Sequence, residues 1–188
     1  MDDFRREVME CRRCDLCQTR KNVVFGMGDP HADILLIGEG PGAQEDEQGL
    51  PFVGRSGKLL DQFLDCFDLA RGKNVYIANI VKCRPPENRD PTPYEQEQCI
   101  GWLYRQIELI DPKVIVCLGR IAAQVMIRDN FRVSVEHGVF YEKDGRLIMG
   151  TFHPAAILRN PNHKPLAFDD FAKLRDKLEE LSQKETER

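Results

Sequence analysis

Three polar side chains that could bind or activate a small polar substrate stand at the ends of apolar runs. Glu39 comes directly after the run that ends at Gly38, Asn79 closes a second run, and His153 follows a third. A carboxylate can position water, a primary amide donates and accepts at once, and an imidazole can donate a hydrogen bond. We expect a functional cleft wherever the fold brings these three residues together.

Cysteines form a second group with chemical potential. The chain has seven of them, and an odd number argues against a framework built only of disulfides. Cys11, Cys14 and Cys17 repeat every third residue in a polar setting, and Cys83 and Cys99 lie in a second polar region, so these five need another explanation. Cys66 and Cys117 sit inside apolar patterns and are predicted to be inert core residues.

Alternating strands and helices must position these groups. Strands are predicted at Ile34–Gly38, around Asn74–Val81, at Lys113–Leu118 and at Arg146–Phe152, and helices from near Ser56, from Thr92, over Arg120–Ile127 and over Leu166–Leu181. Thr92, Pro93 and Glu95 have the spacing of a capping box with a first-turn proline. This order predicts a parallel sheet covered on both faces, with its ligand site beyond the carboxyl ends of the strands.

Length and composition set further expectations. A chain of 188 residues predicts one domain, with a cysteine-bearing segment at 1–32 and a frayed tail at 182–188. It contains no long apolar run and no N-terminal signal, so we expect a cytosolic protein without a membrane partner. The net charge of −4 gives no global hint of nucleic acid, and any DNA contact would need a local patch such as Lys82, Arg84, Arg89 and Arg159.

The stretch 49–56 differs by one residue from the phosphate loop G-x-x-x-x-G-K-[ST]. It follows an acidic polar stretch instead of a strand, and Arg55 replaces the lysine that the motif requires. We therefore interpret it as an apolar loop leading into a helix, and not as a nucleotide-binding site.

Four blocks together resemble the uracil-DNA glycosylases of the iron–sulfur type, family 4. The blocks cover residues 38–46, 49–54, 79–86 and 153–161, and the resemblance runs from about Cys11 to Pro161 with the same order and spacing. It implies a three-layer α/β/α domain with a central four-stranded parallel sheet. It also implies an enzyme that excises uracil from DNA, and its partner would be uracil-containing DNA, single- or double-stranded, bound by a monomer.

The resemblance assigns roles to matched residues. An enzyme of this kind flips the base out of the stack and holds it by stacking and by hydrogen bonds to its edge. Phe52 is the residue expected to stack on uracil, although it could equally be an anchor of its loop. Asn79 can accept from N3–H and donate to O4, a pattern that cytosine reverses. His153 is expected to donate to O2, where negative charge accumulates.

The residue that orients the attacking water is open. Related enzymes carry an aspartate at the place that Gly40 occupies here, so Gly40 would supply only its backbone to the substrate. Glu39 and Glu45 are the candidate carboxylates, with Glu39 favoured, and Asn88 could position water or substrate. Glu45 and Asp46 also fit a solvated pair at the start of a helix, where carboxylates interact favourably with the dipole.

The segment 155–159 resembles the loop that presses into the minor groove. Apolar side chains act as wedges in such loops, so Leu158 is predicted to fill the gap left by the flipped nucleotide. Arg159 is predicted to contact phosphate, and Ile157 could exchange roles with Leu158.

The family spacing assigns four cysteines to a 4Fe–4S cluster, namely Cys11, Cys14, Cys83 and Cys99. Cys17 departs from the family pattern and is kept as a spare ligand. A tetrahedral zinc ion on the same four thiolates is the alternative that spacing leaves open. We expect a structural role that ties the N-terminal segment to the rest of the chain.

The sequence thus leads to the hypothesis of a monofunctional uracil-DNA glycosylase. Two alternatives stay open, a superfamily glycosylase with broader preference for damaged bases and a catalytically silent iron–sulfur DNA-binding module. Asn79 and His153 argue against the silent module, because neither is needed to hold a cluster.

Overall fold

The apolar runs of the sequence form the strands of one sheet in a computed structural model that describes residues 1–186. The strands are Met27–Gly28 (β1), Ile34–Gly38 (β2), Val75–Asn79 (β3), Val114–Leu118 (β4), Phe140–Lys143 (β5) and Arg146–Thr151 (β6). The helices are Asp2–Met9 (α1), Leu16–Thr19 (α2), Ala43–Gln48 (α3), Arg55–Asp65 (α4), Pro93–Ile110 (α5), Arg120–Met126 (α6), Val133–Glu136 (α7), Pro154–Arg159 (α8) and His163–Thr186 (α9), with a 3₁₀ turn at Pro86–Asn88.

The predicted parallel sheet forms the centre of a larger mixed sheet. Its order is β1-β3-β2-β4-β6-β5, and the four central strands β3, β2, β4 and β6 run parallel to one another. The prediction of four parallel strands is confirmed. The antiparallel edge strands β1 and β5 were not predicted, because β1 is only two residues long and β5 is exposed on much of its length.

Helices cover both faces of this sheet. Leu35 and Ile37 of β2 pack on one side in a cluster that includes Trp102 of α5 and Met126 of α6. The alternate residues of β2 face the other side, where the core contains Phe63 of α4, Ile157 of α8 and Phe171 of α9. The predicted α/β/α arrangement is therefore confirmed, and because the sheet is covered on both faces, β2, β3 and β4 are buried at every position.

Helix boundaries agree with the sequence where a cap defines them. Thr92 accepts from the backbone N–H of Glu95, whose carboxylate accepts from the N–H of Thr92, so the predicted capping box is confirmed. Helix α9 is longer than the predicted Leu166–Leu181, and positions 187–188 of the predicted tail lie outside the described residues. None of the helices within the described chain has the length and apolar character needed to cross a bilayer.

One prediction for the core was wrong. Cys66 caps the C-terminus of α4 and is exposed, because the amphipathic pattern that contains it ends there and turns it outward. Cys117 is fully buried in β4, as predicted, and burial raises the pKa of its thiol.

The strand register brings the carboxyl ends of the parallel strands to one edge. Gly38 of β2 lies opposite Asn79 of β3, and Leu118 of β4 lies opposite Thr151 of β6. The residues that follow, Glu39 and His153 among them, therefore begin their loops at the same level.

Candidate active site

A cavity of about 640 Å³ opens at this edge of the sheet. It contains all of the predicted catalytic and substrate-binding residues, together with one of the two predicted DNA contacts. Its lining includes Glu39, Gly40, Glu45, Phe52, Asn79, Asn88, His153 and Arg159. The convergence that the sequence predicted is present in the fold.

Asn79 presents an unpaired acceptor inside this cavity. The residue is 2% exposed, and its Oδ1 atom has no hydrogen-bond partner among the described residues. A Cβ placed on Gly38 would lie 2.4 Å from that oxygen and 2.8 Å from the ring of Phe52, so both groups border the same glycine. A buried acceptor without a donor is costly, and a ligand N–H would relieve that cost.

Phe52 forms an aromatic wall beside Asn79. Its ring centroid lies 5.5 Å from that of His153, with the two planes 30° apart. The backbone at Phe52 has a φ of 50°, a left-handed conformation that is strained for a residue with a bulky side chain. The loop therefore fixes this ring in one place at an energetic cost.

His153 is held as a neutral side chain of defined orientation. Its Nδ1 accepts from the backbone N–H of Ala155 at 3.0 Å at the start of α8, which leaves Nε2 to carry the proton. Burial, followed by the charge of Arg159, lowers its pKa to about 4. Gly119 has a φ of 92° and allows close approach, because a Cβ there would lie 2.8 Å from Cβ of His153.

Glu39 lines the cavity and has a strongly perturbed carboxyl group. Its backbone carbonyl accepts from the N–H of Val81, which fixes the turn after β2. Burial, with repulsion from Asp90, raises the pKa of Glu39 to about 7, against the opposing effects of Arg120 and Arg159. A carboxyl group in a cleft whose pKa lies near neutral pH is typical of a general base or a water-positioning group.

Gly40 leaves little room for a side chain. A Cβ at this position would lie 2.7 Å from Cγ2 of Val81, which is fully buried. The stiff valine side chain cannot easily move away. An aspartate at position 40 would therefore require Val81 to shift, which favours a carboxylate from elsewhere.

Glu45 lines the cavity but uses one oxygen to hold a loop. Oε1 accepts from the backbone N–H groups of Val53 and Gly54 at 2.9 and 3.0 Å. Asp46, interpreted with it as a solvated residue of the helix start, is only 3% exposed and accepts from the N–H groups of Lys21 and Asn22. That interpretation was wrong for Asp46, because the N-terminal segment folds over it.

The basic residues predicted to form a DNA-binding patch are not all arranged as the sequence predicted. Lys82 is 1% exposed, with Nζ donating to the carbonyl of Asn79 at 2.9 Å and to Gln106 at 2.5 Å, so it cannot contact DNA. Arg89 forms a two-pronged pair with Glu95. Arg84 donates to Oδ1 of Asn88 at 2.7 Å, which orients the Asn88 amide at the cavity.

The two candidates for the minor-groove wedge differ in their exposure on helix α8. Ile157 is 3% exposed and belongs to the core, whereas Leu158 is 40% exposed. Because a buried side chain cannot intercalate without unfolding its helix, the exchange of roles is excluded and Leu158 remains the candidate. Leu158 lies outside the cavity lining and Arg159 lies within it.

A second, smaller cavity is lined by five cysteines. They are Cys11, Cys14, Cys17, Cys83 and Cys99. N–H groups point at three of the sulfurs, from Trp102 to Cys11, from Arg20 to Cys83 and from the backbone of Lys82 to Cys99, at 3.1 to 3.3 Å. Within residues 1–186 no group of three or more His, Cys, Asp or Glu side chains is arranged to hold a single metal ion.

Sequence reasoning missed the residues that support the site from behind. Arg71 and Lys82 each donate to backbone carbonyls of predicted site residues, Phe52 and Asn79 respectively. Both are single charged residues in polar or mixed surroundings, and no motif marks them. The only available signal was Lys82 at the end of an apolar run, which was interpreted as a surface cation.

Comparison with known proteins agrees with this geometry. The family described as Uracil DNA glycosylase superfamily matches residues 25–179. A Type-4 uracil-DNA glycosylase of Archaeoglobus fulgidus is 46% identical over 182 residues, covering 93% of this chain and 91% of the relative. One from Thermotoga maritima is 43% identical, covering 87% and 86%. A Type-5 uracil-DNA glycosylase of Thermus thermophilus is 35% identical, covering 69% and 68%.

Proposed function

The chain belongs to the uracil-DNA glycosylase superfamily, and we propose that it hydrolyses the N-glycosidic bond of uracil in DNA, leaving an abasic site. We further propose that it acts as a monomer. The single observation that carries the proposal is the buried, unpaired Oδ1 of Asn79 beside the ring of Phe52.

Asn79 and Phe52 together fit the face and edge of a flipped uracil. A ring stacked on Phe52 would direct its N3–H toward Oδ1 of Asn79, while the amide nitrogen donates to O4. Cytosine offers an acceptor at N3 and a donor at C4, so the same amide would meet unfavourable partners on both atoms. Discrimination between the two bases follows from one fixed side chain.

His153 supplies the donor for the leaving group. Cleavage leaves negative charge on uracil O2, and the neutral Nε2–H of His153 is a preorganised donor for it. The lowered pKa keeps this imidazole uncharged at neutral pH, so no proton needs to move before the bond breaks. Stabilisation is electrostatic in origin.

Glu39 is the residue we assign to the water. Its pKa of about 7 gives a substantial carboxylate fraction at neutral pH, and an oxocarbenium-like sugar needs only weak activation of its nucleophile. Backbone at Gly40 and the oriented amide of Asn88 would complete the polar boundary of the site. Glu45, with one oxygen on the loop amides, contributes by holding the aromatic wall.

DNA would approach from the side of α8. Leu158 is exposed and can enter the minor groove, and Arg159 at the cavity rim can pair with phosphate.

We propose that the cysteine cavity holds a 4Fe–4S cluster on Cys11, Cys14, Cys83 and Cys99. Five cysteines line this cavity, the four assigned ones come from three segments of the chain, and N–H donors to sulfur support the assignment, because hydrogen bonds to the sulfurs are a feature of such clusters. When bound, the cluster would supply a structural link between residues 1–32 and α5, without a redox step in base excision. Metal analysis of protein purified without oxygen tests this, with about four irons per chain expected. One zinc per chain would contradict it, and C17S serves as the matched control that should retain iron.

A direct assay tests the function. Purified protein is incubated with single- and double-stranded oligonucleotides that contain one uracil, and abasic sites are revealed as alkali-labile breaks. We expect breaks at uracil and none at cytosine, with N79A and H153A lowering the rate about 100-fold or more. Breaks at uracil that exceed neither those of the two variants nor those of a protein-free control would exclude this function and would favour the silent DNA-binding module.

A further inference from the structure

Two charged side chains hold the loop that carries Phe52, one by binding backbone carbonyl groups and the other by binding backbone N–H groups. Arg71 donates through Nη1 to the carbonyl of Pro51 and through Nη2 to that of Phe52, each at 2.7 Å. Glu45 accepts from the next two amides, those of Val53 and Gly54. The two side chains thus bind two successive carbonyl groups and the two successive N–H groups that follow them, and this fixes the backbone around Phe52.

Arg71 is itself fixed in place. Its Nε donates to Asp61 of α4 at 2.7 Å, and its side chain is only 13% exposed. A Cβ on Gly57 of the same helix would lie 1.7 Å from the carbonyl oxygen of Phe52, so α4 packs directly against the loop. The guanidinium therefore bridges α4 and the loop at their closest approach.

The conformation of Phe52 explains why such a bridge is needed. With a φ of 50°, the residue has a left-handed backbone that is strained for a side chain with a Cβ. Left to itself the loop would relax, and the ring would move away from the wall that it shares with His153 and Asn79. Two charge-assisted hydrogen bonds are enough to offset such a cost.

We propose that Arg71 is a positioning residue for the base-stacking wall, acting on bound uracil only through Phe52. This inference rests on the proposed function, because it assigns the stacked ligand to uracil. A lysine cannot replace this arginine, since one ammonium lacks the planar fork that reaches two carbonyls and a carboxylate at once. The substitution Arg71→Lys keeps the positive charge and thereby isolates the geometry.

The test is a double-mutant cycle on uracil excision from a single-stranded oligonucleotide. R71K should raise KM about fivefold to tenfold with a smaller change in kcat, because the stacking wall binds the base before and during cleavage. In the F52A background the same substitution should change KM less than about twofold. R105K, which alters an exposed arginine paired with Glu108, is the matched control and should change neither constant.

Thermal unfolding of the four proteins separates positioning from general stability. R71K and F52A R71K are expected to remain folded at the assay temperature with similar melting temperatures. An equal KM effect of R71K with and without Phe52 would overturn the proposal, as would an unchanged KM in R71K. If the wild-type protein releases no uracil, the proposed function fails and not this inference. The same four proteins are then compared by the binding of free uracil, measured by calorimetry. Absence of binding would overturn this inference too.

Discussion

The backbone N–H of Ala155 donates to Nδ1 of His153 at 3.0 Å. This bond at the first turn of α8 assigns the imidazole one tautomer, with the proton on Nε2 and a lone pair on Nδ1. Protonation of His153 would remove the acceptor and place two like dipoles against each other. The helix start therefore selects a neutral donor for O2 of the leaving uracil in the proposed reaction.

We expect His153 to stay neutral throughout the range in which the protein works. Its folded pKa of about 4 lies below its ordinary value of 6.5, so its contribution to stability is complete above pH 6.5 and is lost as pH falls through about 4. Nitrogen-15 NMR of the imidazole should show the Nε2–H tautomer at pH 7. A doubly protonated ring at pH 6 would contradict this expectation.

Glu39 should give the excision rate its pH dependence near neutrality. Because its pKa is raised to about 7, the carboxylate that orients water forms as pH rises through that value, and the rate should rise with it. E39Q should lower the rate about 100-fold and remove this limb. E142Q, on exposed β5, is the matched control. A limb that persists in E39Q would assign the titration to another group.

The pH dependence of protein stability gives an independent measure of the pKa of Glu39. A carboxyl group whose folded pKa is raised contributes stability below its unfolded pKa of 4.5, and this is lost as pH rises through about 7. The free energy of unfolding of E39Q relative to wild type should therefore increase between pH 5 and 8. Chemical denaturation at the two pH values measures it, and an unchanged difference would mean that burial does not perturb Glu39.

Sequence patterns predicted the parallel strands and the convergence of Glu39, Asn79 and His153 from apolar runs and strand order, and they predicted the start of α5 from its capping box. They did not predict the environments of Lys82 and Asp46. Each is a charged residue buried by tertiary contacts, with Lys82 bound to the Asn79 carbonyl and Asp46 to amides of the N-terminal segment. Nothing local distinguishes such a residue from a solvated one. The same holds for Arg71, whose partners lie up to 20 residues away.

Leu158 and Ile157 should separate DNA binding from stability, since neighbouring positions on α8 face opposite environments. I157A should lower the free energy of unfolding by about 2–5 kcal/mol, because it empties a core position. L158A should leave stability within about 0.5 kcal/mol and slow excision from duplex DNA more than from single strands, because only a duplex needs a wedge. Urea unfolding and paired rate measurements check both, and equal slowing on the two substrates would exclude the wedge.

Gly40 and Val81 should behave as a coupled pair that determines where the catalytic acid can stand. G40D alone should lower the melting temperature and the rate, because its Cβ would lie 2.7 Å from the buried valine methyl. V81A removes that methyl, so the double variant G40D V81A should be more stable than the sum of the single effects predicts. In the double variant, the aspartate at position 40 would offer the water a second carboxylate. E39Q should then lower the excision rate less than it does in the wild type. Rates of G40D V81A with and without E39Q measure this shift. An undiminished E39Q effect would show that position 40 cannot orient water in this fold, and that Glu39 acts there for a reason other than the space that Val81 occupies.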